Sequence, residues 1–314
     1  VGLEMLETVY GFKPSLDFNS DYRVEFSIHP LKQGVYQQHT VIWEYERMKQ
    51  DAKAHISFPN NFSKHLGDKV FGLLLADILN FKVPKSTVIS RNVAPFIFGT
   101  PTNNNEVWTR TAPVVKQAGK FTTCKGWIDP FKLMHKEDSG NTDIGAVICQ
   151  NSIEGIYSGA SFVKNDKSLD IIEGVKGNGD GFMIGENKIE DLPLQVVGLV
   201  EEINDDFRVL QDILGDVSFE WVYDGKQVWV VQLNQLKNSS SKPNVIVDGN
   251  VSQYIEFNTD RGLEELRDLL KTLNKDFGIK LIGNVGITSH FGDLLRQNQI
   301  PSFIVKSQNY NGYI

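Results

Sequence analysis

The dipeptide Asp224-Gly225 separates two runs rich in β-branched and aromatic residues, Val217–Tyr223 and Gln227–Leu233, and is the strongest short-range hairpin signal in the chain. An antiparallel strand pair is expected there, and the length of its loop decides what the pair can do. Glu220 and Gln232 stand 12 positions apart across it. A three-residue loop puts both on one face, where oxygen donors on adjacent strands can hold Mg²⁺ against nucleotide phosphates; a two-residue loop puts them on opposite faces. The plainer alternative is the solvated polar face of an amphipathic hairpin.

The rest of the chain alternates strand and helix signals. Residues 1–62 are polar and aromatic-rich, with short strands expected at Tyr22–Ile28 and Thr40–Tyr45 around a Gly34 turn. Val70–Leu79 is apolar at helical spacing and leads through Val83-Pro84 into a β-branched strand, Ser86–Ser90. Further strands are read at Glu106–Thr111, at Asp143–Gln150 paired with Gly155–Val163, and at Ser168–Glu173. A helix over Pro193–Leu214 keeps the 3.6-residue period and stops at Gly215. Lys237–Pro243 reads as a linker. Beyond it come a strand near Asn244–Val247, a helix at Gly262–Leu273, a strand at Lys280–Gly283, a helix from about His290 to Gln297 and a strand ending at Val305, the alternation of a small α/β domain.

Composition limits the function classes. The 314 residues, enough for two or three domains, carry a net charge of −7 and no long Lys/Arg run, so general nucleic-acid binding is disfavoured. Two cysteines, Cys124 and Cys149, are too few for a disulfide framework or a Cys-ligated zinc site, which fits a reducing cytoplasm. No run of about 18 apolar residues occurs, and Val1–Tyr10 carries acidic residues where an export signal has basic ones, so neither a membrane span nor an export signal is expected.

Several segments suit phosphate chemistry. Lys69, in Gly67-Asp68-Lys69 before a helix, and Arg110, in Trp108-Thr109-Arg110-Thr111, can neutralise a triphosphate, Arg110 with a fixed fork of donors; each alone is an ordinary surface cation. Gly119–Gly126, with Lys120, Thr122 and Thr123, suits a loop over phosphates or equally an exposed turn. Gly174–Gly181 follows a strand ending in Glu173, and its glycines let backbone N–H groups approach an anion, although such a loop is more often simply a turn. The sharpest signal is Gly286–Pro301, in which His290 sits at a strand-to-helix turn. Its imidazole can act as a nucleophile, with Thr288 and Ser289 orienting it or binding a phosphoryl group; alone it would be a helix N-terminal residue without catalytic duty.

In this order the segments resemble the ATP-utilising half of the phosphoenolpyruvate synthase and pyruvate phosphate dikinase superfamily, which includes rifampicin phosphotransferase and the glucan water dikinases. Gly67–Lys69 through Val83-Pro84 to Val88-Ile89 resembles its opening Gly-Gly-Lys helix and Val-Pro strand, with Lys69 on the phosphate-binding lysine. Arg110-Thr111 resembles its Arg-Ser-Ser strand end, and Gly119–Gly126 its phosphate loop. Gln150 with Ser158–Phe162 resembles the strands around the adenine, and Glu173 with Gly177-Asn178-Gly179 its Glu-x(3)-Gly-Leu-Gly segment. Phe219–Trp221 and Val231-Gln232 resemble its metal-binding strands, and Thr288-Ser289-His290 with Arg296 and Ile300-Pro301 resembles its phosphohistidine signature in register.

The resemblance spans about residues 63–305 and implies an α+β fold. Its parts would be an N-terminal extension (1–62), an ATP-grasp domain of two subdomains clamping ATP (63–236), the linker (237–243), and a shortened, swivelling-type phosphohistidine α/β domain (244–314). It implies ATP and Mg²⁺ as cofactors and a dikinase-type phosphotransferase. Lys69, Arg110, Gly119, Lys120, Thr122 and Thr123 would hold phosphates, Gln150 and Glu173 would border the nucleotide, and Glu220 and Gln232 would hold the metal. Catalysis would fall to Arg110 and to His290, which with Thr288, Ser289 and Arg296 would carry the phosphoryl group to an unidentified acceptor. Two departures bear on this chemistry: Asn234 stands where the family has a catalytic Arg, and Phe291 where it has a small residue. Two alternatives stand beside the dikinase: a non-catalytic ATP-binding regulatory or interaction module, and an ATP-grasp kinase or ligase acting directly on its acceptor.

Overall fold

The computed structural model describes residues 1–11, 13–16, 22–33, 39–47, 55–115, 120–185, 187, 189–236, 240, 242, 244–274 and 276–306. The chain divides into two compact units. The first comprises Val1–Glu154, Asp212–Leu214 and Trp229–Asn234; the second comprises Gly155–Gln211, Gly215–Val228 and Gln235–Ile314.

The chain opens with α1 (Gly2–Tyr10), which stops at Gly11 in the left-handed conformation (φ 74°) and buries Met5, Leu6 and Val9. β1 (Tyr22–Gln33) and β2 (His39–Arg47) pair antiparallel, longer than the two strands expected there; the Gly34 turn lies outside the described residues. Then follow α2 (Ser63–Leu66), α3 (Asp68–Ile78), β3 (Ser86–Ser90), β4 (Phe96–Phe98), β5 (Val107–Pro113), β6 (Thr123–Lys125), α4 (Pro130–Glu137) and β7 (Ile144–Asn151). β3 to β7 form one antiparallel sheet in the order β4-β3-β7-β5-β6. The central β7 is buried on both faces, which its nearly unbroken apolar run reflects.

One face of this sheet receives α3. Gly67, at φ 79°, lets the helix start against β5, since a Cβ there would come within 2.4 Å of the Ala112 carbonyl oxygen. α1 packs on α3 and β4, so the first helix shares this core. The opposite face receives α4, whose Leu133 and Met134 cluster with Ile144 and Val147. Asp129 caps α4 by accepting from the Phe131 and Lys132 amides at 3.0 and 3.2 Å.

The remaining elements are β8 (Tyr157–Val163), β9 (Ile171–Lys176), α5 (Asp180–Met183), α6 (Leu194–Val209), α7 (Gln211–Leu214), β10 (Val217–Tyr223), β11 (Val228–Gln235), β12 (Val245–Val247), β13 (Gln253–Asn258), α8 (Leu263–Thr272), β14 (Phe277–Ile282), α9 (His290–Gln297) and β15 (Ser302–Val305). In the second unit β8 pairs antiparallel with both β10 and β9. α6 packs on β8, where Phe207 meets Phe219 of β10 at 5.2 Å and Ser161 donates to Asn204 at 2.8 Å.

A separate sheet, β12-β15-β14-β13, closes the chain; β13, β14 and β15 run parallel and are joined through α8 and α9. Its core contains Phe257, Leu266, Ile279, Leu281, Phe291 and Leu295. Phe291 is fully buried and anchors α9, a contribution of about 1.5–3 kcal/mol for a side chain of this size.

Three expectations change. The strands at Asp143–Gln150 and Gly155–Val163 are not partners: β7 lies between β3 and β5, and β8 between β10 and β9. The helix expected over Pro193–Leu214 is interrupted at Leu210, whose N–H caps α6 on the Phe207 carbonyl. Finally, β13 appears where no strand was expected: Ile255 and Phe257 turn to the core and alternate with Glu256 and Asn258, but the pattern runs for only four residues on an edge strand.

Candidate functional site

In the first unit the cross-strand register assembles the predicted groups. Trp108 on β5 stands opposite Gln150 on β7, and Arg110 opposite Ile148 on β7 and Thr123 on β6. Side chains alternate along a strand, so Trp108, Arg110 and Ala112 share one face with Gln150. This is the face on which Gly67 rests, and Lys69 lies in the first turn of α3 just beyond. The Arg110 guanidinium lies 6.0 Å from the Trp108 ring centroid, and its Nη1 reaches toward the Val231 carbonyl at 3.5 Å, long for a hydrogen bond.

β11 is held to this unit by its backbone. Val230 N donates to Lys82 O at 2.8 Å, and Gly72 of α3 lies so close that a Cβ would fall 1.9 Å from Leu233 O. Gln232 and Asn234, both buried, alternate onto one face of β11.

Two donors here lack partners. Arg110 Nε and Gln150 Nε2 are buried without a hydrogen-bond acceptor, although Gln150 is only 2% exposed. Leaving such groups unmade costs about 1–3 kcal/mol each, and an acceptor-rich ligand oxygen would relieve it.

The predicted phosphate loop has other attachments. Gly119 lies outside the described residues. Lys120 pairs with Asp143 at 3.7 Å, and Thr122 donates both its amide, at 3.3 Å, and its hydroxyl to Glu137. Only Thr123, exposed on β6, stands directly beside Arg110.

The second unit brings Glu173 to the histidine turn. The Glu173 carboxylate accepts from Ile287 N (3.2 Å), Thr288 N (3.0 Å) and Thr288 Oγ1 (2.6 Å). Ser289, fully buried, donates its hydroxyl to Gly286 O at 2.6 Å. Arg296 donates to Ile287 O and Asp293 at 3.0 Å each, and its guanidinium covers the Phe162 ring at 4.7 Å. Thr288, Ser289 and Arg296 thus brace the turn. His290 remains 21% exposed, with Nδ1 buried, unbonded and 3.7 Å from Asp293.

The hairpin loop has two residues. Asp224 N donates to Gln227 O at 3.2 Å, the Asp224 carboxylate accepts from the Lys226 and Gln227 amides, and Gly225 takes the first central position at φ 93°. In a regular hairpin this loop sends residues 12 apart to opposite faces, so it does not supply the shared face that the Glu220 and Gln232 metal pair requires. Among the described residues no group of three or more His, Cys, Asp or Glu side chains could hold a metal.

The register of Trp108 with Gln150 and the approach of the Val231 carbonyl to Arg110 had no sequence signal, because each depends on which strands become neighbours. The spacing of Gln232 and Asn234 was visible as an i, i+2 repeat.

No family model matches the sequence, and no curated protein matches it. Among solved structures it is similar to D-alanyl-alanine synthetase A from Vibrio cholerae (11% identity, 55% of each chain covered, TM-score 0.35). It is also similar to the VanG D-Ala:D-Ser ligase from Enterococcus faecalis (14% identity, 56% of this chain and 53% of that one, TM-score 0.35). A third likeness is to a RiPP-associated ATP-grasp ligase from Chryseobacterium gregarium, solved with ADP and a leader and core peptide (16% identity, 52% and 50% covered, TM-score 0.29). The chain spans about half the length of these proteins, and at such scores the likenesses do not establish a common fold. Among the described residues no helix is long and apolar enough to cross a membrane.

Proposed function

We propose that the chain is an ATP-dependent enzyme of the ATP-grasp kind that acts directly on a bound acceptor, the nucleotide lying on the Trp108, Arg110 and Gln150 face of the first unit. The observation that carries this reading is the pair of buried, unpartnered donors, Arg110 Nε and Gln150 Nε2, on one sheet face. Both fit oxygen or ring-nitrogen acceptors of a nucleotide. Arg110 would neutralise phosphate charge with its donor fork, aided by Lys69 at the start of α3, where the helix dipole also favours an anion. A divalent cation arriving with the nucleotide would find the amide oxygens of Gln232 and Asn234 on one strand face. In the transfer, an acceptor oxygen attacks the γ-phosphorus, the bond to the β,γ-bridging oxygen breaks, and ADP leaves; the protein's task is charge neutralisation and alignment.

Direct action is preferred to a phosphohistidine relay because the groups that would serve His290 are already committed. The Thr288 hydroxyl is given to Glu173, the Ser289 hydroxyl to Gly286 O, and Arg296 to Ile287 O and Asp293. Asn234 in place of an arginine and the core anchor Phe291 support the same choice.

The test incubates the full chain with Mg²⁺ and ATP labelled on the β or γ phosphate, and follows nucleotide binding, ADP and AMP, and acid-labile label on the protein. Expected are saturable ATP binding, weakened about 30–100-fold in Arg110→Ala by loss of a charged contact, and, with water as the only acceptor in the incubation, slow release of ADP and inorganic phosphate in both wild type and His290→Ala. Acid-labile β-label that disappears in His290→Ala would reinstate the dikinase, and failure to bind ATP would sink both readings.

A further inference from the structure

We propose that Lys164 is a latch: its ammonium holds Ser240, between β11 and β12, against the end of β8, so that the expected linker is fixed at its midpoint and the closing α/β sheet does not swing freely on it. The inference is independent of the nucleotide reading. Lys164 follows directly on β8, is 5% exposed, and gives its backbone N–H to Asp170 Oδ1 at 3.0 Å. Its Nζ donates to the carbonyl oxygen of Ser240, which is itself 6% exposed although it belongs to the Lys237–Pro243 segment that reads as a linker. A free linker keeps its backbone in water, whereas at Ser240 a buried carbonyl is closed by a charge. The Ser240 side chain is held as well: its hydroxyl donates to the Asp248 carboxylate and accepts from Lys242 N at 3.0 Å, and Lys242 Nζ pairs with Asp248 at 3.1 Å. Ser240 is thus tied both to the end of β8 and to the residue that follows β12.

The charged groups that face Lys164 are Asp216, Arg296, Asp248 and Asp170. Each of the three carboxylates is already engaged. Asp216 accepts from Gln211 Nε2 at 2.6 Å, Asp170 accepts from Arg208 and from Asn204 at 3.1 Å, and Asp248 holds Ser240 and Lys242. Among the described residues Lys164 forms no ion pair, and its ammonium is left with the Ser240 carbonyl. Burial pushes Lys164 below the ordinary lysine range, against the pull of the aspartates, so the charge is kept there at a desolvation penalty.

For stability alone, an apolar side chain of the same length would serve as well or better. What it could not do is grip the Ser240 carbonyl, so the charge acts on the segment and not on the core. The closing sheet has other attachments to β8 and β9: Glu173 receives the Thr288 turn, and Arg296 covers Phe162. Those contacts reach the turn and α9, whereas Lys164 acts at the entry to β12.

The test compares backbone hydrogen exchange in the full chain and in Lys164→Met, by mass spectrometry of peptides covering 236–248, β8, β14 and α9. Expected in the variant are exchange about tenfold faster over 236–248, unchanged rates in β8, β14 and α9, and a thermal midpoint equal to or above that of the wild type. A lysine needed only for packing would instead lower the midpoint and speed exchange in all four regions. Lys164→Gln, which keeps a donor without the charge, should give an intermediate rate over 236–248, and is read in place of Lys164→Met if that variant does not fold. The proposal is overturned if 236–248 exchanges at the wild-type rate in the folded variant, if the four regions accelerate together, or if neither variant folds.

Discussion

The Glu173 carboxylate receives the Thr288 hydroxyl at 2.6 Å, across 115 residues of sequence, and the Thr288 and Ile287 amides complete the same acceptor site. One side chain on β9 thereby fixes the turn that presents α9. Glu173→Ala leaves three donors of that turn unpaired and is expected to cost about 2–4 kcal/mol in urea unfolding of the full chain. Thr288→Val, which removes one donor and keeps the shape, should cost nearer 1 kcal/mol. Equal losses would mean that the hydroxyl, and not the pair of amides, holds the turn.

Gly72→Ala should be among the most damaging single-methyl changes in the first unit. Its Cβ would fall 1.9 Å from Leu233 O, so α3 and β11 must separate, at a cost of about 3 kcal/mol or more. Because β11 carries Val231 past Arg110, nucleotide affinity should fall together with the thermal midpoint.

Gln150→Met separates stability from binding. The substitution replaces an orphaned buried amide with an apolar chain of similar length, and is expected to leave the thermal midpoint unchanged or raise it. ATP affinity should drop about tenfold, the loss of one good hydrogen bond. A variant that is both less stable and unimpaired in binding would contradict the placement of Gln150 at the nucleotide.

Asp138 gives a pH prediction. Burial pushes its carboxyl up, but hydrogen bonds from Ile144 N, Arg91, Thr142 N and Asp143 N outweigh this and hold it at about 2. The folded value lies below the unfolded one, so the stabilisation is present above about pH 4 and is lost as pH falls through about 2. Roughly 2 kcal/mol should disappear over that window. Urea midpoints measured from pH 5 downward should fall less steeply in Asp138→Asn, which starts less stable at neutral pH.

Local signals in the sequence were read well where chemistry is local. The helix beginning at His290 ends at Gln297, and Asp224-Gly225 does turn the chain between two strands. The loop length could not be read with them, because Asp224-Gly225 fits several turn lengths until Asp224 N finds Gln227 O. Strand partners were less legible still: β7 and β8 are consecutive and both apolar, yet belong to different sheets, since neighbour choice depends on residues far away in the chain. At the candidate site, residue types at Arg110 and Gln150 were visible in their order, whereas their common face needed the register of β5 on β7. The commitment of Glu173 to Thr288 was hidden for the same reason: a carboxylate in sequence does not show which donors will claim it.

The first unit takes its last strand from Trp229–Asn234, far beyond Glu154 where its continuous part ends. During synthesis the ribosome would release α3, β5 and Arg110 well before the segment that packs on Gly72 emerges. Until then that sheet face is exposed and needs shelter, by transient self-contact or by a chaperone. The contact of Arg110 with Val231, separated by 121 residues, closes only after β11 has emerged, so a nascent chain halted at residue 154 should carry Trp108, Arg110 and Gln150 but not the strand segment that brings Val231, Gln232 and Asn234 to this unit.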